Sequence, residues 1–540
     1  MKKRKLWLTA ALLVTILSLI VGCSSNNGNN SSSTNNQASS EPSGNTSSSD
    51  PKETPKGEPE KLKVEVFDRG KSVNGETADS SIWTKWIHDQ VLEDLNIDVT
   101  FVAVPRSQEV DKLNVLMATG DAPDIVFTYD QVTTANYAKS GGLTDVSELL
   151  DQYGSDLKQY LGEEVLSYGK FFGKQFAIAA KRAFVGDQSS LIRKDWLDKL
   201  GLPVPTTTEE FLETMRAFKE KDPGNTGGKV VPYGIVAFDA SYNVNSRALL
   251  YSFIQRGTEE EFYAKYDFMM PGIKDGVQFM NQMYNEGLIS KDFPLDKDGK
   301  KFESDFTNGY VGALTQTGTT VFQGLTKTLE ANVPEAEYVV MDAFTDQNGN
   351  HPKEMYSPMD RYIMIPKSSK HAEAAVKYLN WMANPDNLNT IVNGFEGEDY
   401  NLVNGLPVAI KSDTPPVHLN NRGIDLSIIS NGLDFGDVDK NIQFVVNNYP
   451  DYAEVIRESL KSSLVDGYSQ PHFDRPIEAQ IKYGSILKDK MNEIKTKAVT
   501  AKPSDFDSVY DSGMKEYMSL GGQALVDERT QVYKDMKAGN

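Results

Sequence analysis

A single thiol, Cys23, stands in the 540 residues, at the point where an apolar run gives way to "CSSNNGNN". With no second cysteine the chain can form no internal disulfide, no CxxC redox pair and no Cys-ligated zinc centre. The five histidines, His88, His351, His371, His418 and His472, show no i, i+3 or i+4 pairing that would put two imidazoles on one helix face for a metal. There is no GxSxG elbow and no HExxH. "GKFFGKQ" at 169–175 has neither the spacing nor the Ser/Thr of a phosphate loop. "DQNGNHPKE" at 346–354 alternates Asx residues, but it lacks a Gly at its sixth position and an acid at its twelfth, so it reads as a turn. No cofactor and no metal site is expected. Carboxylates are numerous enough that a two-carboxylate glycosidase dyad stays open.

The residues before Cys23 account for its position. Lys2, Lys3, Arg4 and Lys5 form a basic start, and Leu6 to Val21 is apolar apart from Thr9, Thr15 and Ser18. This is the plan of a secretory signal. A membrane anchor is the alternative, but the run is short of the ~20 residues that a spanning helix prefers, and no basic flank follows it. Ile20-Val21-Gly22-Cys23 resembles the bacterial lipobox. That resemblance implies removal of residues 1–22 and a diacylglyceryl thioether on the Cys23 sulfur. Two acyl chains would hold the protein on a membrane surface, at about 0.8 kcal/mol per buried methylene. Residues 23–60 are Ser/Asn/Gly-rich, then Pro/Lys/Glu-rich. They lack the apolar side chains to offset the entropy of ordering and read as a disordered tether spanning roughly 35 Å.

The remainder, about 61–540, is long enough for two or more lobes. A net charge of −20 makes nucleic acid or an anionic membrane surface a poor partner. "LKVEVF" (62–67) alternates as a strand. Ile82, Trp83, Trp86, Ile87, Val91 and Leu95 keep helical spacing behind Ser80 or Ser81 as N-cap. "IDVTFVAV" (97–104) is strand-like, and Ser107 can cap a helix through Val110, Leu113, Leu116 and Met117 that Gly120 ends. A third strand follows near Ile125–Phe127. The β-α-β-α-β order predicts a parallel sheet, with ligands bound beyond the carboxyl ends of its strands. Those ends are Asp68-Arg69-Gly70 and Thr128-Tyr129-Asp130, though each residue is also an ordinary loop residue. Further on, Gly201 can end a helix, Thr207 and Glu210 can form a capping box, and Phe211, Met215 and Phe218 make an apolar stripe. Trp196 reads as core.

"GDAPDIVF", "LIRKDWLDKLGLPVPTTTEEF", "GYVGAL" and "IPKSSKHAEAAVKYLNWMANPDN" resemble, in this order, the extracellular solute-binding proteins of family 1. "GFEGEDY" followed by "NGLP" resembles the large subgroup tied to oligosaccharide uptake in Gram-positive bacteria. The resemblance implies an α/β, two-lobed periplasmic-binding-protein-like fold with a hinge and an inter-lobe ligand cleft. One lobe would hold 61–181 and 360–412, the other 182–359 and 413–540. The chain would cross near 180–189, return near 357–363 and cross again near 410–416. It also implies a monomeric, lipid-anchored receptor on the extracellular face of the membrane. Such a receptor hands a carbohydrate to two permease subunits driven by a cytoplasmic ATPase. A receptor for peptides or another small polar solute, or a surface glycoside hydrolase, is the alternative.

Ligand contacts carry over by position. They are Asp68 and Arg69 after the first strand, Tyr129 and Asp130 after "PDIVF", Asp239 and Tyr242 after "YGIVAF", Gln316 after "GYVGAL", and Asp360 and Arg361 at the return hinge. Carboxylates, amides and guanidinium groups can form paired hydrogen bonds with vicinal hydroxyls, and aromatic faces can cover a sugar's C–H surface. Trp83 and Trp381 are further stacking candidates, but each lies in an apolar helical stripe that reads as core. Arg361 and Asp360 have a structural reading as well, a hinge ion pair. Where relatives often carry an Asp/Asn-rich calcium loop, "KDPGNTGGKVVPYG" puts Lys229, Val230 and Val231 at positions that need oxygen ligands, so no tight site is expected.

Overall fold

Strands β1 (Glu60–Asp68), β2 (Ile97–Pro105) and β3 (Val126–Thr128) alternate with helices α1 (Ile82–Leu95) and α2 (Glu109–Thr119) in a computed structural model. The structure describes residues 57–70, 76–186, 188–240, 244–266, 268–317, 319–346, 348–410 and 425–539. Cys23 with the signal and most of the tether, and Tyr242, lie outside the described residues. α1 starts where its sequence asks. Ser81 Oγ accepts from the Thr84 amide at 3.2 Å, and Thr84 Oγ1 accepts from the Ser81 amide at 2.7 Å. α2 does not start at a Ser107 cap. A 3-10 turn over Arg106–Gln108 leads into it from Pro105, and no side chain caps the Gln108 end. Gly120, at φ 76°, closes it as expected.

β1 and β2 are parallel in full register from Glu60↔Ile97 to Asp68↔Pro105, and a parallel bridge joins Val64 to Ile125 at the foot of β3. The chain continues through α3 (Gln131–Lys139) to β4 (Ala177–Arg182). It then leaves for a second sheet made of β5 (Gln188–Arg193), β6 (Val231–Gly234), β7 (Val311–Thr317) and β8 (Tyr338–Val340), in the order β8-β5-β7-β6. It returns with β9 (Met359–Met364), which lies antiparallel between β3 and β4, and β10 (Ser430–Asn431) pairs parallel with β4.

Each sheet has its own core. Leu62, Trp83, Ile87, Phe127, Ile178, Ile363 and Leu379 belong to the first. On the second sheet Ile192 and Ala313 face a cluster holding Trp196, Phe211, Met215 and Phe218, while their strand neighbours Leu191 and Leu314 face another with Phe302, Ile442 and Leu460. That alternation is the period of two of a strand covered on both faces. Helices Glu478–Thr500, Phe506–Tyr517 and Gln523–Gly539 pack on the Trp196 cluster. Trp196 is fully buried, and Trp83 is buried and stacked on Phe395 with ring centroids 5.6 Å apart. Trp381 donates its Nε1–H to Asp94 at 2.7 Å in the same core region, so both tryptophans take the core reading.

The sequence reading put the last passage between lobes near 410–416. The described residues Leu426, Ile428, Ile429 and Leu433 still pack in the first core, and Ile442 is in the second body. The passage therefore falls between Leu433 and Ile442. β10 is the physical reason, because it adds to the edge of the first sheet. Thr207 Oγ1 accepts from the Glu210 amide at 3.2 Å, but Glu210 turns its carboxylate to the Thr206 amide at 2.9 Å, so the expected capping box is half formed.

Candidate functional site

The loop after β3 is built from both sides. Asp130 caps α3, its Oδ1 accepting from the Val132 amide at 2.7 Å. Gln131 thereby sits in the first helical turn, facing away from the core. Tyr129 is half-buried, with its ring against Phe67 at 5.7 Å and the guanidinium groups of Arg106 and Arg361 at 5.4 and 5.5 Å from its centroid. Beneath it lie two acids. Glu65 of β1 accepts from the Phe127 amide at 3.3 Å, and Glu109 of α2 accepts from Thr128 Oγ1 at 3.3 Å and the Tyr129 amide at 3.4 Å. Burial pushes the Glu65 carboxyl up to about 8, against the Phe127 hydrogen bond and with help from Glu109. Burial raises Glu109 as well. At neutral pH Glu65 is therefore a neutral acid under the loop.

The hinge strands carry an ion-pair network. Asp360 is buried and binds Arg182 of β4, Arg361 Nε at 2.9 Å and Asn431 Nδ2 at 2.7 Å. Burial alone would raise the Asp360 carboxyl, but Arg361 and Arg182 hold it below the ordinary carboxylate range. Arg361 is only 3% exposed and lies over the rings of Phe127 and Tyr129, 5.5 Å from each centroid. Arg69 forms a bidentate pair with Asp425, Nε and Nη2 at 2.5 and 2.7 Å, tying the loop after β1 to the segment that leads into β10. Asp68 Oδ1 accepts from the Gly70 amide at 2.7 Å and shapes that loop's turn.

A cavity of about 460 Å³ lies between the lobes. Tyr129, Asp130, Gln131, Tyr168 and Tyr362 wall it from the first lobe. Tyr266, His472, Phe473, Arg475, Gln480 and Arg529 wall it from the second body. Tyr266 is held by its hydroxyl, which donates to Glu354 Oε1 at 2.8 Å. Arg475 pairs with Asp474 at 2.9 Å. Burial drives the His472 imidazole down to about 4, so it is neutral at physiological pH. The wall offers ring faces from both sides and amide and guanidinium donors between them. Asp130 is the one carboxylate among the described lining residues, and its oxygens are engaged in capping α3, so they do not assemble an acid/base pair of carboxylates.

Of the residues expected at the ligand, Tyr129 and Asp130 line this cavity. Asp360 and Arg361 stand behind Tyr129 in the hinge strands, and Asp68 and Arg69 close the adjoining loop of the first lobe. Asp239 pairs with Lys297 on the exposed face of the second body, and Gln316 is buried in β7 opposite Ser189 of β5. Neither belongs to this cavity. Tyr168, Tyr266 and the segment "QPHFDRPI" (470–477) were missed. Two prolines bracketing one histidine and one phenylalanine were the available signal. The Asp222 carboxylate accepts from the Thr226 amide and hydroxyl, both at 2.9 Å, which turns the expected non-calcium loop in on itself. Asp346 does the same, with its oxygen on the amides of Asn348 and Asn350 at 2.8 and 2.9 Å.

The family model for bacterial extracellular solute-binding proteins matches residues 74–388. Lipoprotein LipO of Bacillus subtilis is 29% identical over 344 residues, covering 61% of this chain and 66% of LipO. The fructooligosaccharide ABC transporter substrate-binding protein FusA of Streptococcus pneumoniae is 27% identical over 226 residues, 38% of this chain and 40% of FusA. The chain thus spans from two fifths to just under two thirds of these relatives. Among solved structures, alginate-binding protein AlgQ2 without calcium ion superposes with a TM-score of 0.63 at 21% identity, over 88% of this chain and 98% of AlgQ2. FusA in complex with kestose does so with a TM-score of 0.63 at 18% identity, over 89% and 100%. These likenesses establish the two-lobed α/β fold.

Proposed function

Because the chain belongs to the family of bacterial extracellular solute-binding proteins, we infer that it captures an oligosaccharide between its lobes and delivers it to an ABC importer. The partners are two permease subunits and a cytoplasmic ATPase, and the receptor acts as a monomer. Cys23, lipidated after removal of residues 1–22, holds it on the outer face of the cell membrane. The tether lifts the lobes clear of the lipid.

The inter-lobe cavity carries this reading. Its tyrosines and Phe473 supply faces for the C–H surface of a sugar ring, and Gln131, Gln480 and Arg475 supply hydrogen bonds for hydroxyls. Tyr129 and Asp130 contact the ligand, whereas Asp360 and Arg361 brace the hinge behind them. The names of FusA and AlgQ2 place carbohydrate ligands on proteins of the same fold.

A thermal-shift screen of the full chain against an oligosaccharide panel tests the proposal, since a ligand at 100 times its Kd stabilises by about 2.7 kcal/mol. A hit should be lost with Tyr129→Ala, and calorimetry should give one site. A panel that leaves melting unchanged while peptides raise it would replace carbohydrate by peptide as the ligand class. Release of reducing ends from polysaccharide would replace the receptor by a hydrolase.

A further inference from the structure

Residues 470–477 form part of the cavity wall and also join the two bodies. The segment enters from the strand Gly467–Tyr468 and ends at the helix Glu478–Thr500, both in the second body. Phe473 is buried in that body's core, its ring 5.3 Å from Tyr263. The preceding residue points the other way. The His472 ring lies against Tyr168 of the first lobe, with centroids 4.2 Å apart. Gln131 Nε2 faces its Nδ1 at 3.4 Å and donates to the Phe473 carbonyl at 3.3 Å. A carbonyl can only accept, so the nitrogen end of the Gln131 amide is the one turned to the segment. His472 Nδ1 must then accept, and its proton sits on Nε2.

A neutral imidazole is the species this arrangement needs, and its burial keeps it neutral. One peptide bond thus separates side chains anchored in opposite lobes. Pro471 and Pro476 fix φ on either side, which lowers the entropy lost when the segment is ordered. An ion pair between Lys139, at the end of α3, and Glu478 adds a further tie at the segment's end.

We propose that His472 is a clasp, a positioning residue that pins the 470–477 strap to the first lobe across the cavity and so sets how readily the lobes separate. The first lobe's share of the clasp is Gln131 and Tyr168. The inference rests on the geometry between the lobes and not on the identity of the ligand. Its test needs no ligand, so its failure is distinguishable from failure of the carbohydrate reading.

Hydrogen exchange of the full chain, read by mass spectrometry at pH 7, provides the test. In His472→Ala the amides of 131–139 and those of 468–477 should exchange roughly tenfold faster, the equivalent of about 1.4 kcal/mol, while β5 and β7 keep their rates. Gln131→Ala, acting from the opposite lobe, should speed exchange in 468–477 as well. The double variant should speed exchange in 468–477 by less than the product of the two single effects, because both remove one shared contact. Unchanged exchange in 131–139 for His472→Ala would overturn the clasp, and so would fully multiplicative effects of the two substitutions. If His472→Ala loosens β5 and β7 equally, the residue supports the second body's fold and the clasp is likewise excluded.

Discussion

Glu65→Gln is the substitution whose effect the structure specifies most fully. Glu65 is 1% exposed in the middle of β1, and its Oε2 accepts one amide hydrogen from Phe127. Folding moves its carboxyl from an ordinary 4.5 up to about 8, chiefly by desolvation. The folded chain therefore holds this proton more tightly than the unfolded chain. The resulting stability is fully present below pH 4.5 and is lost as pH rises toward about 8. At 1.36 kcal/mol per pH decade the whole interval is worth on the order of 5 kcal/mol, comparable with the net stability of many domains. Local relaxation and water entry around the ionised form reduce that figure. Glutamine keeps the acceptor for Phe127 and carries no charge at any pH. Paired urea titrations at pH 5, 7 and 9, followed by tryptophan fluorescence, give the difference in midpoint between variant and wild type without extrapolation. The difference should move steadily in favour of Glu65→Gln from pH 5 to pH 9. Parallel midpoints across that range would refute the reasoning, because they would mean that Glu65 titrates as an exposed carboxylate.

Three further outcomes are expected. Asp360→Ala leaves Arg182 and Arg361 facing each other without their shared counter-charge, and removing one partner of a buried pair costs about 3–5 kcal/mol; a calorimetric melting temperature equal to wild type would contradict the hinge network. Gly312→Ala would place a Cβ 2.6 Å from Phe218 Cδ2 and 2.8 Å from the Pro232 carbonyl, inside β7, so overpacking should cost about 1–3 kcal/mol, read as a lower urea midpoint. Cys23→Ala should leave the melting of the lobes unchanged and move the protein from the membrane fraction to the medium, which cell fractionation checks.

The sequence by itself determined what depends on near neighbours in the chain. The alternation in 62–67, the Ser81 cap, Gly120 and Gly201 as helix ends, and the buried stripe Phe211, Met215 and Phe218 all appear where their spacing put them. Each rests on hydrogen bonds or packing within about one helical turn or one strand period. The order of motifs, read as a resemblance, added the two-lobed fold.

Only the tertiary structure decided which polar groups meet. Asp360 and Arg361 carry two readings in the sequence, ligand contact and hinge brace, and only the fold shows Arg182 and Asn431 converging on the buried Asp360 carboxylate. Arg69 is expected at the ligand from its place after β1, yet the fold pairs it with Asp425, 356 residues away. Glu65 read as the polar face of an alternating strand; covering by α2 and β3 made it a buried acid. His472 had no helical neighbour to suggest a role, and its contact with Gln131 spans 341 residues. No periodicity encodes such distances. They follow from two separate sheets, each with its own core, and a strap of the second reaching the wall of the first, a juxtaposition set by packing of whole layers rather than by the residues on either side of it.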